Sequence, residues 1–206
     1  MSLDIAKITS FLLDGMSKAI AERQQACLVL SGGSSPVPVF EALSEVAFPW
    51  EKVVITLVDE RAVPPTHEDS NHLLVKTHLL SGGAKAAQFV PLYDNEAAFR
   101  QIGKADVALL GMGTDGHFAS LFPDMIGDQQ AYDVSAPPAI IHTKPKGSPK
   151  HPRISMNLAM ITGITDICLL LPNAEKVALY EAAKTDDSLP VHYLQKALGE
   201  RLVLFS

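Results

Sequence analysis

One histidine in this chain is set up to do chemistry. His117 follows Gly111, Gly113 and Gly116 in the stretch LLGMGTDGHFASLFP, 109–123, and the apolar run 107–110 just before it has the length of a buried strand. Closely spaced glycines let backbone N–H groups approach a ligand, and a strand end gives the imidazole a rigid mount. A neutral imidazole has a reference pKa of about 6.5. Near neutral pH it can take a proton from water and return it to a leaving group. Asp115, two residues earlier, is placed to orient the loop or the imidazole rather than to act as base.

Anion-binding signals surround this loop in the sequence. The turn SGGSSP, 31–36, offers Gly32, Gly33 and Ser34 as a nest of N–H groups at a helix start, suited to phosphate and equally to a plain strand-to-helix turn. Asp59, Glu60 and Arg61 follow an apolar run. As a charge run they read as a solvated face; at the same sheet edge as the two glycine-rich turns they read as a site. Lys144, Lys146, Lys150, His151 and Arg153 cluster in a proline-bearing stretch, where one arginine folding over an anion would suit the acidic background. Lys176 sits in the first turn of a helix, where a cation opposes the dipole unless an anion is bound with it.

Other chemistries lack their context. GMGTDG, 111–116, matches the dinucleotide fingerprint, with Asp133 near the expected ribose-binding position, but Pro123 and Gly127 interrupt the crossover helix that the fingerprint requires. No G-x-S-x-G elbow and no Walker A loop occurs. His67, His72 and His78 have no third ligand at a usable spacing, so no metal is expected. A net charge of −6 argues against a nucleic-acid partner, since no basic face could neutralise a row of phosphates. Cys27 and Cys168 each lie in apolar runs and imply no disulfide framework. No run approaches the roughly 18 apolar residues of a membrane span, and no signal peptide precedes the first helix, so a cytoplasmic protein is expected.

These residues need elements to position them. At 206 residues the chain suits one domain, 1–206. Ile5, Ile8, Leu12, Met16 and Ile20 make the apolar stripe of a first helix. Strands are expected at 26–30, at 53–58 running into Asp59–Arg61, and at 89–92, 107–110, 139–142, 167–171 and 202–205. Helices are expected at 36–43 with Ser35 as cap, at 71–80 capped by Ser70, at 95–102, near Asn157, and at 174–184 and 191–198. The stretch 144–153 reads as a loop. Strands alternating with helices predict an α/β protein with a mostly parallel sheet covered on both faces.

SGGSSP at 31–36, VDERAVP at 58–64 followed by Ser70 and Asn71, LLGMGTDGHFASLFP at 109–123, and HPRIS at 151–155 resemble, in order, the signatures of the 6-phosphogluconolactonase family. The resemblance implies a three-layer α/β/α sandwich, the modified Rossmann-like fold of glucosamine-6-phosphate deaminase and ribose-5-phosphate isomerase. It implies hydrolysis of a phosphosugar lactone without cofactor or metal, by a monomer or small homo-oligomer. His117 would be catalytic, helped by Asp115 and Arg61. Gly32, Gly33, Ser34, Asp59, Arg61, Gly113, Arg153 and Lys176 would hold substrate, with amides of 111–116 and Arg61 on the developing oxyanion. The chain departs from the family at Asn173, usually glycine, and at Phe118, often threonine. Two other functions remain open: a sugar-phosphate isomerase or deaminase of the same fold, and a non-catalytic sugar-phosphate sensor. The deaminases carry a glutamate where this chain has Phe122.

Overall fold

Continuous apolar runs become central strands because a parallel sheet buried on both faces leaves no polar side to alternate with. The computed structural model of the protein describes residues 3–95 and 102–206. Its main sheet has six parallel strands in the order β4-β2-β1-β5-β8-β9, formed by Gln88–Phe89, Val53–Leu57, Ala26–Leu30, Val107–Gly111, Asp166–Leu170 and Leu202–Phe205. Every residue of β1 and β2 is buried. Helix α1, Ile5–Arg23, packs on α2, Val37–Ser44, and on β1 and β5, with Ile8, Leu12 and Met16 inward. Helices Gln129–Tyr132, Leu158–Thr162 and Pro190–Leu198 pack together in a second helical group. The result is the three-layer α/β architecture. Asp106, buried at the start of β5, accepts from the Arg23 guanidinium at 2.5 Å and from the Cys27 amide at 2.8 Å, which ties β5 to β1 and to the end of α1. Among the described residues no helix is long and apolar enough to cross a membrane.

Several expectations are corrected. Asp59–Arg61 is not the tail of β2 but a separate strand, β3. It pairs antiparallel with β7, His151–Met156, which pairs in turn with β6, Ile140–Lys146. The stretch 144–153 is therefore largely a hairpin rather than a loop; its alternating polar face and its prolines hid it, and Pro145 falls where the register shifts between Thr143 and Lys146. Ser35 is not a cap either: Pro36 takes the N-cap position in helical conformation, with no side-chain cap bond. Ser70 does cap its helix, α3 (Asn71–His78), by accepting from the Leu73 amide at 3.3 Å. That helix and the one at Ala174–Ala182 end two residues short of expectation, and β4 is only Gln88–Phe89. The helix expected at 95–102 falls largely outside the described residues.

Candidate active site

Neighbouring parallel strands point their carboxyl ends the same way, so the loops that leave them meet. Strands β2, β1 and β5 are adjacent at the centre of the sheet. Their exits are VDER, SGGSS and GMGTDGH, and the small sheet adds β7 across from β3. Together they enclose a cavity of about 240 Å³, lined among others by Gly32, Gly33, Ser34, Asp59, Arg61, Asn71, Gly113, His117, Ser120, Phe122 and Arg153.

On the His117 side the loop folds tightly on itself. Gly113 N–H donates to the His117 carbonyl at 2.7 Å, bringing Gly113 under the ring, and a Cβ at Gly113 would sit 2.1 Å from Nδ1 and Cε1 of His117. The Asp115 carboxylate takes the His117 Nδ1 position as well as the His117 amide, the latter at 3.2 Å. Burial pushes the Asp115 carboxyl up, yet the bonds and charge of His117 outweigh it and hold the group below its ordinary value. An ionised carboxylate only accepts, so Nδ1 carries the proton and Nε2 keeps its lone pair. Phe122 packs against the imidazole with ring centroids 4.7 Å apart. Beyond His117 the chain reverses at Ala119, whose φ of 48° is left-handed, a conformation costing about 1–3 kcal/mol that buried Phe118 and Leu121 hold in place.

The other wall is cationic. Arg61 and Arg153 are directly paired across β3 and β7, so their side chains share one face. Arg61 Nη1 donates to the Asp69 carbonyl at 2.6 Å, while Arg153 Nη2 donates to the carbonyls of Pro149 at 2.7 Å and Lys146 at 3.3 Å. Neither guanidinium forms a direct ion pair among the described residues, although the charges of Asp59, Glu60 and Asp69 act on Arg153 and that of Asp69 on Arg61. Burial, and then the charge of Arg61 beside it, lowers the pKa of Arg153. Alternation sends Glu60 the opposite way. There it is buried and accepts from the amides of Arg61, Asn71 and His72 at 2.7, 2.8 and 2.7 Å and from Ser70 Oγ at 3.2 Å, clamping β3 to the start of α3. Asp59 faces the cavity and accepts from Ser120 Oγ at 2.6 Å. Gly32 is held against Asn71, whose Oδ1 would lie 1.8 Å from any added Cβ.

Of the amides of 111–116, those of the three glycines are engaged within the protein. Gly111 N–H donates to Ser31 Oγ at 3.2 Å, Gly113 to His117 and Gly116 to the Gly113 carbonyl at 3.3 Å, so these three shape the loop and are not free for an oxyanion. Among the described residues no carbonyl takes the amides of Gly32, Gly33 or Ser34.

The family model for glucosamine-6-phosphate isomerases/6-phosphogluconolactonase matches residues 5–203. The chain belongs to this family. Relatives named 6-phosphogluconolactonase include those of Neisseria meningitidis, 39% identical over 82% of this chain and 79% of that protein, and of Caulobacter vibrioides, 36% identical over 91% and 85%. The crystal structure of a 6-phosphogluconolactonase from Shewanella baltica superposes with a TM-score of 0.85 at 28% identity, covering 97% of this chain and 91% of that one. One from Trypanosoma brucei shares the fold, with a TM-score of 0.73 at 20% identity, covering 95% and 91%.

Two positions that the family resemblance singles out belong to the helix Ala174–Ala182 and its cap. Lys176 does not line the cavity; its Nζ donates to the Met112 carbonyl at 2.6 Å, and burial lowers its pKa. Asn173, where the family usually has glycine, caps the helix carrying Lys176 by accepting from the Lys176 amide at 2.9 Å. Asp115 likewise touches His117 without lining the cavity. Ser120 and Asn71 are site residues that the sequence motifs contain but that no chemical signal distinguishes from ordinary polar positions.

Proposed function

We propose that this protein hydrolyses 6-phospho-D-glucono-1,5-lactone to 6-phosphogluconate. The observation that carries the reading is one cavity with an imidazole base on one wall and, on another, two facing arginines that form no direct ion pair among the described residues. A phosphorylated sugar ester matches both walls. Its phosphate meets Arg61, Arg153 and the amides of Gly32, Gly33 and Ser34, and this anchoring holds the ring where His117 can act.

A δ-lactone is an activated ester and needs no covalent nucleophile. His117 Nε2 takes a proton from water as the water oxygen bonds to C1, and the carbonyl π electrons move onto the carbonyl oxygen. When the tetrahedral intermediate collapses, the C1–ring oxygen bond breaks and the imidazolium returns its proton to that oxygen. Asp115 fixes the tautomer and steadies the imidazolium, as a carboxylate-oriented histidine does elsewhere. With the loop glycine amides engaged, Arg61 is the donor suited to the oxyanion. Phe122, not a carboxylate, packs on His117, which favours hydrolysis over the relay of protons that ring opening and isomerisation need.

The direct test is to generate the lactone with glucose-6-phosphate dehydrogenase and follow its loss against the spontaneous rate. Acceleration proportional to protein concentration supports the reading. No acceleration, or release of ammonia from glucosamine 6-phosphate instead, overturns it.

A further inference from the structure

Outside the cavity, three side chains from two parts of the chain converge. His67 and Asp69 belong to the turn after β3, and His151 opens β7. The backbone brings them together: Ala62 N–H donates to the Pro152 carbonyl at 2.9 Å, locking the exit of β3 to the start of β7. His151 Nε2 lies 2.8 Å from Asp69 Oδ2 and His67 Nδ1 lies 3.8 Å from the same oxygen. One ligand atom from each of the three lies within 4.8 Å of the others. The two rings meet edge to face at 5.4 Å between centroids.

The tautomer of His67 is set by its surroundings. The Asp69 amide donates to His67 Nδ1 at 3.1 Å, so that nitrogen is unprotonated, and a metal would take its lone pair over from the amide. A plain ion pair would need only one histidine beside Asp69. Two imidazole nitrogens and a carboxylate oxygen within 4.8 Å of one another are the donor set of zinc-class ions, with three protein ligands and a position left for water. Tetrahedral bonds of about 2.0–2.2 Å put ligand atoms about 3.4 Å apart. The observed 2.8 and 3.8 Å lie either side of that spacing and the two nitrogens lie within 4.8 Å of each other, so ring and carboxylate adjustments of up to about 1.4 Å close the set.

We propose that His67, Asp69 and His151 bind one divalent ion of the zinc class through Nδ1, a carboxylate oxygen and Nε2. The site goes beyond the proposed lactone hydrolysis and is not a step in it. Its position couples it to the anion wall, because the Asp69 carbonyl accepts from Arg61 and His151 lies two residues before Arg153. A bound ion ties together the two backbone segments that carry the paired arginines.

The test uses tag-free full-length protein, freed of metal with a chelator, and needs no substrate. Titration with Co²⁺ should give visible absorption saturating at one equivalent, and Zn²⁺ should displace it. Zn²⁺ should also raise the melting midpoint by about 2 °C or more, as about 1 kcal/mol of selective binding does for a chain of this size. His67→Ala and His151→Gln, at part-exposed positions, should each abolish both signals while keeping the wild-type urea midpoint without metal, and His117→Ala should keep both signals. Absence of saturable binding in the wild type, equal binding by both cluster variants, or loss of binding on changing His117 instead would overturn the assignment. Lactonase assays on the same samples report separately on the proposed hydrolysis.

Discussion

Arg61 and Arg153 stand directly opposite one another on β3 and β7, both on the cavity, and neither forms a direct ion pair among the described residues. Like charges facing across a strand pair are unfavourable; Asp59, Glu60 and Asp69 offset part of that repulsion at Arg153, and a bound anion would offset more. Inorganic phosphate should therefore stabilise the protein in a thermal melt. Arg61→Ala should lose most of that effect, raise KM for the lactone by about 30-fold, the equivalent of about 2 kcal/mol for a truncated charge-assisted contact, and, as the oxyanion donor is lost, lower kcat by about 10²-fold or more. Arg153→Ala should do the same to the phosphate effect and to KM and also lower the melting midpoint, since Arg153 staples the β6–β7 turn through the Lys146 and Pro149 carbonyls. Unchanged KM in both variants would contradict the anion wall.

Gly113 is held under the His117 ring with no room for a side chain. Gly113→Ala should push the imidazole out of line, and displacement on this scale costs about 10²-fold in kcat. The melting midpoint should change little, since the strain is relieved by turning a part-exposed ring. Steady-state kinetics beside a thermal melt separates the two effects.

The Asp115 carboxyl lies below its ordinary value of 3.8 because of His117. A depressed acid contributes stability that is present above the unfolded value and lost as pH falls through the folded one. The tether should therefore hold at every pH above about 4 and loosen only below it, so Asp115 titration adds no step to the rate profile near neutrality. Asp115→Asn should lower kcat by about 10- to 100-fold with little change in KM, because it removes tautomer control and not substrate contact. A kcat near wild type would remove Asp115 from its positioning role.

How the sequence exposes this site depends on what each element buries. The runs at 26–30, 53–57 and 107–110 are legible because both faces of the central sheet are covered and nothing polar interrupts them. Glycine-rich exits at their ends then give away the His117 loop and the SGGSS turn that line the cavity. The β6–β7 hairpin is hidden because HTKPKGSPKHPR mixes prolines and charges on a half-exposed strand pair with a register shift. Lys176 has a partner that no spacing rule names: its ammonium folds back onto the Met112 carbonyl. For the same reason His67 looks isolated among His72 and His78, while its neighbours are Asp69 and a histidine that Asp69 meets 82 positions along the chain.

Both cysteines are buried and free. Burial, and then the Asp106 charge, pushes the Cys27 thiol up to about 12, and burial alone raises Cys168. The thiolate is the reactive form, so neither should react with a disulfide reagent at pH 8 in the native protein, and both should react after denaturation. Fast native labelling of either thiol would show that the central sheet opens far more readily than its packing indicates.

The central claim is that the Nε2 atom of His117 activates water against a lactone held by its phosphate. The decisive measurement is kcat/KM of purified His117→Ala with enzymatically generated 6-phosphogluconolactone, corrected for spontaneous hydrolysis, with folding checked by thermal melt. The account predicts a native melt and a loss of about 10²- to 10⁴-fold, the usual contribution of a positioned base. A folded variant turning over at close to the wild-type rate would contradict it.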